Sequence, residues 1–67
     1  MVKSIADLNN RAANFAHHCI GSMSLSEVAH LAISGIDHNA CVQWEISPEE
    51  WQDGILAALG ELHKLNN

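Results

Sequence analysis

Apolar residues recur from Ile5 through Leu8, Ala12, Phe15 and Cys19 at alternating spacings of three and four, with Ala16 and Ile20 beside them. Because successive helical residues turn by about 100°, that spacing places them on one face, while Asp7, Asn10, Arg11, Asn14 and His18 fall opposite. Ser4 can cap the start, and Gly21 suits the residue just past the end, so the pattern predicts a helix over 4–20.

The second start is Ser24-Leu25-Ser26-Glu27, a capping box in which serine and glutamate satisfy each other's backbone amides. Leu25, Val28, Ala29, Ala32 and Ile36 then share a face, opposite Glu27, His30, Ser34 and Asp37, which predicts a helix over 24–36. Gly35 disfavours a helix interior by about 1 kcal/mol relative to Ala, so the helix either ends there or continues weakly toward Cys41. From Asp37 the helical period fades. His38 and Asn39 suit a turn, and Val42, Trp44 and Ile46 alternate with Gln43 and Glu45 as in an extended segment, either a connector or an edge strand.

The third start is the clearest. Ser47 is the N-cap, Pro48 takes the first helical position where its missing amide proton is harmless, and Glu49 and Glu50 meet the positive end of the helix dipole. Ile46 and Trp51 are spaced as a hydrophobic staple, and Trp51, Ile55, Ala58, Leu62 and Leu65 form the stripe of a helix over 47–65 that closes on His63 and Lys64. On the same wheel Leu59 and Leu56 lie roughly 80° and 140° round from Trp51, an apolar sector too wide for one neighbouring helix. Leu31 and Ile33 widen the second helix in the same way. The expected fold class is therefore all-α: a small bundle of three short helices in a single domain, 1–67, completed by homodimerisation.

Composition and charge narrow the function. Sixty-seven residues are 48% hydrophobic, with Phe15, Trp44 and Trp51 the only aromatics among Phe, Trp and Tyr, so Leu, Ile, Val and Ala must build most of the core. Small chains commonly add a disulfide, a metal or a partner to such a core. The net charge is −5, and residues 12–63 hold seven of the eight acids and no Lys or Arg. Phosphate neutralisation by those cations dominates nucleic-acid affinity, and anionic membranes need them too, so neither nucleic acid nor membrane is an expected partner. A helix-turn-helix reader would present the N-terminus of its recognition helix to DNA; here that end carries Glu49, Glu50 and Asp53. Asp7 interrupts any leader-like apolar run, and the longest apolar run, 55–59, is far too short to span a bilayer. The expectation is a cytoplasmic protein with free thiols.

His17, His18, Cys19, His30, His38 and Cys41 are the residue types that zinc prefers. Cys19, however, belongs to the apolar stripe, with His17 and His18 roughly 160° and 100° away from it. His38 and Cys41 could ligate as a pair at a dimer interface, with further donors from a second chain, which is the alternative reading of a metal-stapled binder. No cofactor is expected. The serines are accounted for as caps, and three short helices leave little room for a water-excluding pocket, so no enzymatic activity is expected.

In size, composition and style over the whole chain, though through no diagnostic motif, the sequence resembles the small helical accessory proteins encoded in the early regions of temperate, lambda-like bacteriophages and their prophage remnants. That resemblance implies a non-catalytic protein that modulates a host or phage process through protein contacts. The expected function is a small protein–protein interaction module, with Trp44, Trp51, Ile55, Leu56, Leu59, Leu31 and Ile33 as its contact residues and the tryptophans as anchors.

Overall fold

Each helix opens on a side chain that satisfies its first unpaired amides. Asn9 Oδ1 accepts from the Ala12 amide at 2.9 Å, and Asp37 Oδ1 accepts from that of Ala40 at 3.1 Å. Ser24 and Glu27 form the expected reciprocal box, the Ser24 amide donating to Glu27 Oε1 at 2.9 Å and the Glu27 amide to Ser24 Oγ at 3.3 Å. Ser47 and Glu50 form a second one, at 2.8 and 3.1 Å. The computed structural model describes residues 4–65. From these caps run α1 (Asn10–Ser22), α2 (Leu25–Ser34), α3 (His38–Trp44) and α4 (Pro48–Leu65), preceded by a short 3-10 turn at Ile5–Asp7. The described residues are all-helical, with no strand, in a body 32 × 24 × 23 Å across.

Three boundaries differ from the sequence expectation. The helix expected over 4–20 is two elements. Ser4 donates through its amide and hydroxyl to Asp7, closing only the 3-10 turn. Leu8 and Asn9 are extended, and Asn9 is the true cap of α1. This break lets the turn fold back against both α1 and α4, with Ile5 and Leu8 packed on the core. Gly21 does not stop α1, which continues to Ser22. Met23 ends it in an extended conformation, its amide donating to the Cys19 carbonyl at 3.0 Å, and delivers the chain directly into the Ser24 cap. The second helix ends at Ser34 rather than 36, because Gly35 adopts φ +99°, a conformation that side chains with a Cβ resist.

The largest correction is α3, which occupies the segment read as a turn and an extended connector or edge strand. Its start is the Asp37 cap. Its end is a Schellman turn in which the Ile46 amide donates to the Cys41 carbonyl at 3.0 Å and the Glu45 amide to that of Val42 at 3.2 Å, with Glu45 left-handed at φ 55°. The residue expected at that left-handed position is glycine, so its signal is missing from the sequence. The apparent alternation is accidental: Val42 is exposed, Trp44 half-buried and Ile46 buried.

Packing converges on α4, which α1, α2, α3 and the 3-10 turn all contact. The core joins Phe15, Ala16 and Cys19 of α1, Val28 of α2, Cys41 of α3 and the staple residue Ile46 to Trp51, Ile55, Ala58 and Leu62 of α4. Phe15 sits between the tryptophans, its ring centroid 5.6 Å from Trp44 in an edge-to-face contact and 6.3 Å from Trp51. Each such aromatic contact adds about 0.5–1.5 kcal/mol beyond the area it buries. At Gly54 the two backbones come close. A Cβ there would stand 2.9 Å from the Phe15 ring and 3.3 Å from the Ala12 carbonyl oxygen. The wide apolar sector of α4 is therefore covered largely by the chain's own helices, the unforeseen α3 among them, and much less of it remains for a partner than three helices would leave.

Candidate protein-binding face

The contact residues read from the sequence separate into three groups. Trp51 and Ile55, 2% and 1% exposed, are core rather than anchors, because Phe15 and the other helices close over their face of α4. Trp44 is half-buried at the end of α3. It packs against Phe15 on one side and carries the His18 ring on another, with centroids 5.0 Å apart. Leu56, Leu59 and Leu31 are half-buried, and Ile33, 86% exposed, stands alone on the outer side of α2.

Leu56 and Leu59 are brought together with residues that periodicity had assigned to the inner stripe of the second helix. Two hollows lie end to end along the seam between α2 and α4 and share Leu56. One is lined by Ala32, Gly35, Ile36, Trp51, Gln52 and Ile55, the other by Leu25, Ala29, Leu59, Gly60, His63 and Lys64. The seam stays open because α2 presents alanines to it, Ala29 and Ala32, and α4 presents Gly60, above which there is no atom within 4 Å of a Cβ position. Leu31 belongs to a different, shallow hollow with Met23, Ser26, Glu27 and His30. Gly60 is the residue that sequence reasoning missed. Its signal was a glycine inside an otherwise regular helix that no turn or cap required.

His63 and Lys64 edge one end of this seam, and no carboxylate is among the residues that line it. No buried residue among those described is polar or charged. Hydrogen bonds from the Ser47 amide and then the Asn9 side chain, with Arg11 3.9 Å away, hold the Glu50 carboxyl below the usual carboxylate range. The Ser24 amide does the same for Glu27. These carboxylates fasten helix starts.

The thiols and imidazoles do not gather. Cys19 is fully buried, and burial pushes its pKa up to about 11. Cys41 is buried beneath α3, where burial and then the Asp37 carboxylate raise it. Such thiols are poor nucleophiles, because the reactive form is the thiolate. His38 is exposed at the start of α3 while Cys41 faces the core, and His30 is tied to Ser34, whose hydroxyl lies 3.2 Å from its Nε2. Among the described residues no three His, Cys, Asp or Glu side chains come together as a metal ion would require. None of the helices described is long and apolar enough to cross a membrane. No protein family, curated protein or solved structure matches the chain.

Proposed function

We propose that this protein is a small, non-enzymatic protein–protein interaction module that works as a homodimer and uses the open seam between α2 and α4 as its contact face. The observation that supports this reading is the seam itself, two mainly apolar hollows that share Leu56 and are lined by small residues, Ala29, Ala32 and Gly60, beside Leu59. An apolar trough along two helices is the shape in which a third helix buries its own apolar stripe. Contact, rather than chemistry, is also what the resemblance to phage accessory proteins implies, and a cytoplasmic setting accords with two thiols left free. Neither nucleic acid nor membrane is part of this reading, since residues 12–63 contain no Lys or Arg.

The test is the mass in solution, by sedimentation equilibrium from micromolar to millimolar concentration. A reversible monomer–dimer equilibrium is expected, shifted toward monomer by Leu56→Glu without loss of helical circular dichroism. A wild-type chain that stays monomeric throughout would refute the dimer.

A further inference from the structure

The outward face of α4 carries a charge pattern that is its own complement. Glu49, Leu56 and His63 are spaced by seven residues, which on a helix keeps all three within about 40° of one another. Beside them on the same side run Asp53, Gly60 and Lys64. Glu49 gives the N-terminal end of this face a carboxylate, and Lys64, which also lies 3.8 Å from Glu61, gives its C-terminal end an ammonium with the His63 imidazole beside it. Leu56 is the midpoint between Glu49 and His63.

Inverting such a face end for end puts Glu49 against the partner's His63 and Lys64, with leucine on leucine at the centre and Asp53 beside the partner's Leu59. We infer that the occupant of the seam is the α4 helix of a second copy, lying antiparallel on the first about a two-fold axis that passes at Leu56. This inference rests on the homodimer proposed above and specifies its orientation and register. In that register Glu49 of each copy meets the partner's His63 and Lys64, while Gln52 meets the partner's Gly60. The missing side chain at Gly60 is then accounted for as a notch for the facing Gln52. Gly54, by contrast, is already explained within one copy by Phe15. The two helix dipoles also run in opposite senses, which suits the pairing. A parallel pair would set acid against acid at one end and base against base at the other, a repulsion that discriminates between orientations.

The test uses two variants of the full chain. Glu49→Lys and the double variant His63→Glu, Lys64→Glu are each expected to self-associate at least about tenfold more weakly than wild type, since like charges then face one another at both ends. Mixed together they are expected to recover a dimer of wild-type strength, because each supplies the complement of the other. A parallel pair, in which like charges already face one another in wild type, would not be weakened by either variant alone. If wild type dimerises but the mixture does not, the register is wrong and the dimer stands. If wild type is monomeric at millimolar concentration, the dimer reading itself fails and the face belongs to a foreign protein. Should either charge variant fail to fold by circular dichroism, Leu56→Cys provides the second measurement. A residue on the axis crosslinks to itself rapidly on mild oxidation, and failure to do so while dimeric overturns the register.

Discussion

On the side of α4 that faces α1, glycine is required because the neighbouring helix is already there. Gly54 lies so close to Phe15 and the Ala12 carbonyl that a methyl group would have to displace them. On the side that flanks α2, glycine has the opposite setting, since nothing stands above Gly60. The first seam is closed by alanines and an aromatic cluster, and its chemistry is used up in folding. The second is held apart and leaves leucine surface half-covered. One helix thus carries a finished interface and an unfinished one, and the contrast separates what stabilises the chain from what remains to bind.

The greatest effect is expected where the closed seam loses its centre. Phe15→Ala should cost about 3–5 kcal/mol, most of the stability of a domain this size, and leave the chain largely unfolded by circular dichroism. Leu56→Ala, on the open seam, should cost the monomer about 1 kcal/mol or less in urea unfolding. Equal losses at the two positions would erase the distinction. Next comes Gly54→Ala, expected to lower stability by about 1–3 kcal/mol despite alanine's better helix propensity, because the Phe15 ring must give way.

The titrating groups test the same boundary between closed core and open surface. Cys19 has a folded pKa of about 11 against an ordinary 9.0, so its contribution is complete below pH 9 and is lost as pH rises toward 11. Denaturant midpoints should fall across that window, and Cys19→Ala should flatten the slope. Glu50 runs the other way. Its carboxyl is depressed below the ordinary 4.5, so the tie it makes between the start of α4 and Asn9 is intact above pH 4.5 and fades as pH falls below it. Acid titration of Glu50→Gln should show a shallower loss than wild type. The smallest effect is a gain. Gly60→Ala should stabilise the dilute monomer by about 0.5–1 kcal/mol through helix propensity while weakening the dimer, and a variant that strengthens both would remove the notch from the antiparallel pairing.

How much of this was legible depended on whether the signal was local. The starts of α2 and α4 were readable because a capping box and a staple involve residues only three to five apart, and their partners can be named without the fold. Ser4 misled because it resembled a cap while Asn9, five residues on, was the better one for a helix whose neighbour is α4. The segment from Asp37 to Ile46 was misread because its decisive feature is a non-glycine residue at φ 55°, which a Schellman turn between buried Cys41 and Ile46 imposes. Of the residues assigned to the binding face, Leu56 and Leu59 line the open seam half-exposed, whereas Trp51 and Ile55, which edge the same seam, are almost wholly buried in the core. A helical wheel records which side chains share a face but not how many helices will cover it.

The sequence alone determined the all-helical class, the strongest caps, the apolar stripes, the acidic balance and the wide apolar sector of α4, because each follows from spacing and side-chain chemistry along a single helix. The tertiary structure decided that a fourth helix forms, that α4 is the axis on which the others pack, and which of its two interior glycines is filled from within. Those outcomes depend on contacts between residues far apart in the chain, such as Phe15 with Gly54, whose energies no local pattern contains.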